Sequence, residues 1–174
     1  MGGGTLPSGA QGATVSGFVL ERCQIVPGDV KTVFGFFKDP HNLEAITPPW
    51  LHFHVASSST PVVRMGTEIH YRLRWQVVPL RWSSRISEYV EGELFADEML
   101  RGPYRRWYHR HFFTAVPSGV EVRDVVQYQL PFGPVGRVVH AMTVRSQLEA
   151  IFDYRQNTIT EIFGLPLPAG TRSC

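Results

Sequence analysis

The chain has 174 residues, with 17 Lys and Arg against 15 Asp and Glu, for a formal net charge of +2. This length is typical of one domain with its own core, and 43% hydrophobic with 18% charged residues is ordinary for a globular protein. The small net charge and the scattered basic residues argue against a nucleic-acid-binding protein. RNA contact through exposed arginines and aromatics stays an alternative.

The sequence favours a cytoplasmic location. It begins without a charged segment followed by an apolar one, and no window of about 18 apolar residues suggests a transmembrane span. The only cysteines are Cys23 and Cys174. Because Cys174 ends a loose C-terminal segment, we expect reduced thiols and a reducing compartment.

The N-terminal third predicts one strand followed by two short helices. The glycine-rich residues 1–13 lack an apolar period and are expected to be disordered. A strand is predicted at Phe18–Val26, and Asp29 is a suitable N-cap for the first helix. A second short helix is predicted to begin at Asp39-Pro40 and to end at Pro48-Pro49.

The middle of the chain shows apolar residues at every second position, which is typical of strands. Connections of only a few residues predict an antiparallel meander. The predicted strands are Leu51–Ala56, Thr67–Val77, Trp82–Val90, Leu94–Leu100, Arg106–Ala115 and Val120–Leu130.

Helical spacing replaces this alternation after residue 130. Helical spacing predicts a long helix that ends near Phe163, with an apolar stripe made of Val138, Met142, Leu148, Phe152, Ile159 and Ile162. At 1.5 Å per residue, about 30 residues would cross a whole domain. We therefore expect a single domain at 14–164, followed by a flexible tail at 165–174.

Residues 102–113, with the sequence GPYRRWYHRHFF, carry the least ordinary pattern in the chain. Alternation places Trp107, His109, His111 and Phe113 on one face of a strand and the arginines on the other. Since arginines favour water, the two histidines are predicted to point inward. Buried imidazoles need hydrogen-bond partners, because an unpaired buried polar group costs about 1–3 kcal/mol.

The same alternation turns the acidic groups Glu88, Asp97 and Asp124 toward the histidines. So polar a set does not suit a solid core, and a partly hydrated cavity under the long helix would accommodate it. The predicted lining of that cavity is Tyr71, Trp75, Trp82, Trp107 and Tyr128. Two simpler alternatives stay open: the His–carboxylate pairs could only fix strand register, and the tryptophans could only pack.

The order of one strand, two short helices, six further strands and a long helix resembles the helix-grip fold of the START/Bet v 1-like (SRPBCC) superfamily. Its polyketide cyclase/dehydrase branch is the most similar. The segments that carry the resemblance are 37–43, 46–51, 102–104, 107–111, 130–134, 144–148 and 151–155. The resemblance implies an α+β fold in which a seven-stranded antiparallel sheet wraps around the C-terminal helix and a deep apolar cavity. Members bind lipids, sterols, polyketides or plant hormones, and some catalyse cyclisation or dehydration.

Three functions follow from these features. The first is binding, and with it transport or sequestration, of a small, mostly hydrophobic molecule such as a lipid or polyketide, with His109, His111 and Asp124 orienting its polar end. The second is a cofactor-independent cyclase/aromatase or dehydratase, with His109 and Asp124 as the catalytic pair and a tyrosine polarising a carbonyl. The third is a metal site at the two histidines, completed by Glu88 or Asp97. We expect no cofactor and no metal, and homodimerisation stays open.

Overall fold

A computed structural model describes residues 17–165, which form seven strands and a set of helices. The strands make one antiparallel sheet in the order β1-β7-β6-β5-β4-β3-β2. Their bounds are β1 Phe18–Val26, β2 His54–Ser58, β3 Glu68–Trp75, β4 Val78–Val90, β5 Leu94–Arg101, β6 Arg106–Val116 and β7 Gly119–Gln129. The predicted α+β helix-grip architecture with its seven-stranded antiparallel sheet is confirmed.

Helices α1 (Val30–Lys38) and α2 (Asn42–Ala45) follow β1, as predicted. Asp29 caps α1, since its side chain accepts a hydrogen bond of 2.7 Å from the Thr32 amide. The Asp39 carboxylate instead accepts from the His41 amide and forms a turn ahead of α2. The predicted disordered N-terminal segment and most of the predicted flexible tail lie outside the described residues.

Two strand boundaries differ from the prediction for local reasons. Residues Pro49–Leu51 form a 3-10 turn, so β2 begins only at His54. The turn between β3 and β4 is shorter than expected, because Trp75 already pairs with Val78. Gln76 in that turn has a φ of 53°, in the left-handed region that tight hairpins require.

The C-terminal helical region is continuous but not uniform. It comprises α3 (Gly133–Val139), a π-helical segment (His140–Val144) and α4 (Arg145–Phe163). Leu148, Phe152 and Ile159 are buried, in agreement with the predicted apolar stripe. Val138 and Met142 are exposed, so the predicted stripe does not reach the core in the first turns.

Polar contacts fasten α4 to the sheet edge at β1. The Gln24 side chain donates to the Gln156 carbonyl and to the Thr160 hydroxyl, each at 2.9 Å. In return, the Gln156 side chain donates to the Cys23 carbonyl at 2.9 Å. These bonds fix the rotation of the helix, and therefore decide which of its side chains face the sheet.

The interior has two apolar clusters, one at each end of the space between sheet and helix. The first surrounds Phe34 on α1 and includes Phe113 and Ile159. The second surrounds Leu148 and Phe152 on α4 and includes Val126. No helix in the described range combines the length and apolar character needed to cross a membrane.

The cysteines depart from the sequence expectation. Cys23 is disulfide-bonded, whereas reduced thiols were predicted, and Cys174 lies outside the described residues. The cysteines therefore give no support to the cytoplasmic location, which stays a prediction.

Candidate functional site

Four titratable side chains meet on the concave face of strands β5, β6 and β7. Asp97 on β5 lies directly opposite His109 on β6, and Asp124 on β7 lies directly opposite His111. Both histidines and Asp124 are buried. Because side chains directly opposite each other in an antiparallel pair share a face, the strand register alone brings the four groups together.

Asp124 is the common partner of the two imidazoles. Its Oδ1 lies 2.9 Å from His109 Nε2, in a buried hydrogen bond. The same oxygen lies 2.7 Å from His111 Nδ1, but the ring is out of line and makes a charge contact without a hydrogen bond. The His109–Asp124 partnership expected from the sequence is therefore present.

Asp97 is held on one side and open on the other. Its Oδ1 accepts a hydrogen bond of 3.2 Å from Ser84, whose hydroxyl in turn accepts one of 2.9 Å from the Trp82 indole. Its Oδ2 lies 3.7 Å from His109 Nδ1 and 3.7 Å from His111 Nε2. Both separations exceed an ordinary hydrogen bond, so this oxygen keeps capacity for another partner.

Burial and neighbouring charges shift the pKa values of the two histidines in opposite directions. Burial and the neighbouring His111 lower the pKa of His109, although its contact with Asp124 acts the other way. Burial also disfavours charge on His111, but Asp124 and Asp97 outweigh it and raise the pKa of His111. At Asp124 the two histidines overcome the burial effect and hold the carboxyl pKa well below its usual range. Of the two imidazoles, His111 is therefore the more readily protonated.

These residues also meet a distance requirement for metal binding. One ligand atom each from Asp97, His109 and His111 lies within 4.8 Å of the others. Two imidazoles and a carboxylate are ligands that zinc and other divalent metals accept. The metal site therefore stays an alternative, with Asp97 as the carboxylate that would complete it.

A cavity of about 150 Å³ lies between this cluster and α4. Asp97 and His109 border it, together with a mostly apolar wall. That wall includes four of the predicted lining residues, Tyr71, Trp75, Trp82 and Trp107. A second space of about 240 Å³ lies beyond Trp75, Leu80, Pro103 and Tyr104, which border both.

Three predicted ligand-contacting residues lie beside the main cavity without bordering it. His111 borders a smaller space of about 50 Å³ near α1 and α2. Asp124 does not border the cavity, and it contacts His109 and His111 instead. Tyr128 is buried in the apolar cluster around Leu148, with its ring 6.0 Å from that of Trp107.

Glu88 does not join the cluster, and its predicted inward placement is wrong. A bulge in β4 between Ile86 and Glu88 adds one residue to the register with β5. This shift reverses the alternation beyond it. The Glu88 carboxylate consequently accepts a hydrogen bond from Tyr108, a neighbour of the outward-facing Arg110.

The site contains one cation that the strand pattern could not reveal. Arg155 on α4 is buried, with 8% of its surface exposed, and it borders both the main cavity and the smaller space next to His111. The spacing of Arg155 is the one feature of the sequence that indicates its burial. It lies four residues after Ile151 and three after Phe152, and therefore falls on the buried stripe of α4.

Comparisons with known proteins agree with this architecture. No protein-family model matches the chain, and no curated protein matches it. Solved structures are similar at low identity. Protein CV1439 from Chromobacterium violaceum is 13% identical with a TM-score of 0.66, over 84% of this chain and 97% of that one. The Bet v 1-like protein Ara h 8.0201 is 13% identical with a TM-score of 0.59, over 84% and 99%.

A polyketide ARO/CYC protein is also among the similar structures. The di-domain ARO/CYC StfQ from the steffimycin biosynthetic pathway is 13% identical with a TM-score of 0.63, over 83% of this chain and 50% of that one. At such identities the likeness establishes the fold. The chain has the helix-grip fold that these structures share, which confirms the fold that the sequence resemblance implied.

Proposed function

We propose that the protein binds a small, mostly hydrophobic molecule in the cavity between the sheet and α4. The observation that carries this proposal is the composition of the wall, where aromatic and aliphatic side chains outnumber a few polar groups. Such a wall buries an apolar body, while the polar groups fix its orientation. The similarity to a Bet v 1-like protein and to an ARO/CYC protein supports a ligand-binding or cyclase fold.

The size of the cavity limits the ligand. An apolar cavity of about 150 Å³ holds a molecule the size of benzene, and the main cavity has that volume. With the adjoining 240 Å³ space, the total of about 390 Å³ falls within the range of drug-sized pockets. A one-ring molecule fits the main cavity alone, and a lipid or polyketide would also need the adjoining space, which shares Trp75 and Tyr104 with it.

Thermal unfolding with a ligand series of increasing size tests the proposal. 4-Ethylphenol and 2-naphthol are suitable probes, because each has an aromatic body and one polar end. At a concentration 100 times the Kd, binding adds about 2.7 kcal/mol to the free energy of unfolding. This corresponds to a rise in Tm of about 5–10 °C for a chain of this size.

A matched pair of variants locates the binding. Leu73→Phe adds volume to a residue that borders the cavity, whereas Leu100→Phe makes the same change at a residue with 43% of its surface exposed. We expect the first to weaken binding about tenfold or more and the second to leave it unchanged. If no member of the series raises the Tm of the wild type, the proposal is wrong.

A cofactor-independent enzyme is a second candidate, favoured by the arrangement around His109. Asp124 holds Nε2, which leaves Nδ1 on the side of Asp97 and the cavity. A neutral imidazole in this position could take a proton from the carbon next to a carbonyl group. Tyr71 borders the same cavity and could donate a hydrogen bond to the carbonyl oxygen.

Deuterium exchange separates this activity from simple binding. In D₂O, the wild type is expected to accelerate the exchange of the methyl protons of acetophenone for deuterium. NMR measures the rate of this exchange. His109→Gln should lower the rate about 10²–10⁴-fold while acetophenone still binds. His70→Gln is the control, since His70 is exposed and bonded to Ser83 on the outer face. Exchange that survives His109→Gln would exclude His109 as the base.

A further inference from the structure

Arg155 is a buried cation without a counter-ion. Within residues 17–165 no ion pair involves Arg155, and its Nε is buried with no hydrogen-bond partner. Its guanidinium lies 5.0 Å from the centre of the Phe152 ring, and this cation–π contact leaves the N–H donors unused. Three other charged groups of α4 are paired, Arg145 with Glu149 and Asp153 with Arg22.

Among the described residues, the neighbouring acidic groups form no ion pair with Arg155. Asp124 holds the two histidines, and Asp97 binds Ser84. Asp39 borders the smaller space next to Arg155, but its carboxylate accepts a hydrogen bond from the His41 amide. A guanidinium stays charged in proteins, and an uncompensated buried charge is costly.

A negatively charged group inside the cavity would compensate the buried charge of Arg155. Arg155 and Tyr71 border the same cavity as the aromatic residues Trp82 and Trp107. Burial, and secondarily Asp97, raise the pKa of Tyr71, so this hydroxyl stays protonated and able to donate. Together the guanidinium and the phenol present hydrogen-bond donors to a cavity that the Asp97 carboxylate also borders.

We infer that the ligand of this cavity is an organic acid, whose carboxylate pairs with Arg155 and Tyr71 while its apolar body lies among the tryptophans. The inference rests on the proposed binding function and specifies the class of ligand. A planar carboxylate can accept two parallel hydrogen bonds from a guanidinium. The cavity of about 150 Å³ favours one aromatic ring in the arrangement described.

Isothermal titration with an acid and its neutral isostere tests this inference. The probes are trans-cinnamate and trans-cinnamamide, which have the same apolar body and differ in the charge of the polar end. A hydrogen bond to a charged group contributes enough for an affinity difference of about 10–100-fold. We therefore expect the wild type to bind the acid at least tenfold more tightly than the amide.

Variants of Arg155 identify the group responsible. Arg155→Met is expected to remove the preference for cinnamate and to leave the affinity for cinnamamide within about twofold. Arg155→Lys should restore part of the preference, since a lysine keeps the charge without the planar fork. Arg145→Gln is the matched control, because Arg145 lies on the same helix with its side chain 69% exposed.

The stability of the free protein gives an independent readout. If Arg155 is held for a ligand, Arg155→Met removes an uncompensated charge and should raise the Tm of the ligand-free protein by a few degrees. A lowered Tm with an unchanged preference for the acid would show a structural role and overturn the inference. Equal affinity of the wild type for acid and amide would also overturn it, whether or not the variants fold. Binding of neither probe, nor of any neutral phenol, would instead overturn the proposed function.

Discussion

Asp97 stands directly opposite His109 across two strands, yet its Oδ2 stays 3.7 Å from His109 Nδ1. Each residue has its other polar atom firmly bonded, Asp97 to Ser84 and His109 to Asp124. The gap therefore lies between two oriented groups, and both border the cavity. A water molecule or a ligand hydroxyl could bond to both at once, which makes this gap a second polar position in the proposed binding site, apart from Arg155 and Tyr71.

The opposite pKa shifts of His109 and His111 should be visible in solution. Histidine NMR titration is expected to show one imidazole titrating above its ordinary value of about 6.5 and one below it. The higher pKa belongs to His111, since Asp124 and Asp97 favour its charged form against the effect of burial. In Asp124→Asn the higher pKa should fall. Two titrations on the same side of 6.5 would contradict the assignment.

The same shifts predict how stability depends on pH. A raised pKa at His111 adds stability below about pH 6.5 that is lost as the pH rises through the folded-state pKa. The lowered pKa of Asp124 adds stability above about pH 4 that is lost as the pH falls. Their combined contribution is therefore largest between about pH 4 and 6.5.

Urea unfolding of the wild type and His111→Gln at pH 5.5 and pH 8.5 measures this effect. The wild type should exceed His111→Gln in free energy of unfolding by more at pH 5.5 than at pH 8.5. The contribution of His109 has the opposite sign and becomes smaller in His111→Gln, because His111 is one cause of its lowered pKa. Asp124→Asn should lose about 3–5 kcal/mol, the usual cost of breaking a buried ion pair. A difference that grows toward pH 8.5 would be evidence against a charged His111.

The two ends of the interior should respond differently to truncation. Phe34 is 1% exposed, and its ring centre lies 4.9 Å from that of Phe113. Leu73 is only partly buried and borders the cavity. Phe34→Ala should therefore cost about 3–5 kcal/mol, and Leu73→Ala less than about 2 kcal/mol. Equal losses in urea unfolding would mean that the cavity is as well packed as the Phe34 region.

Much of the site followed from alternation because the strands around it are regular. His109 and His111 lie in β6, and Asp124 lies in β7, two strands that pair from Arg106 to Val116 without a register shift. Inward placement of one residue therefore fixes that of the others. The carboxylate partners of the histidines therefore follow from the alternation of the sequence alone.

The remainder of the site depends on features without a local signal. The bulge before Glu88 is a property of strand pairing, and the sequence SEYV around it shows no glycine or proline. Arg155 follows the apolar spacing of α4, but a charged residue at such a position is usually assigned to the surface. The rotation of α4 that buries it is fixed by distant contacts such as Gln24 with Thr160.

Gly119 at the start of β7 should not tolerate a side chain. Its φ is 140°, and an added Cβ would lie 2.2 Å from the Val26 carbonyl oxygen. Gly119→Ala is therefore expected to lose at least 1–2 kcal/mol, about the cost of a strained backbone. Gly35→Ala is the matched control. Nothing lies within 4 Å of its added Cβ, and alanine in a helix should add about 0.5–1 kcal/mol. A neutral Gly119→Ala would mean that the β1 and β7 ends can separate freely.

Glu88 and Asp97 provide the sharpest test of which face of the sheet binds the ligand. Glu88→Gln should leave the affinity for 2-naphthol unchanged, because the carboxylate of Glu88 contacts Tyr108 on the outer face. Tyr108→Phe should behave in the same way and lose about 0.5–1.5 kcal/mol of stability with its hydrogen bond. Asp97→Asn, which makes the equivalent change beside the cavity, should alter the affinity, since Oδ2 is an acceptor facing the bound molecule. Titration calorimetry on the three variants separates the faces: a loss of affinity in Glu88→Gln but not in Asp97→Asn would place the ligand on the outer face and contradict the proposed site.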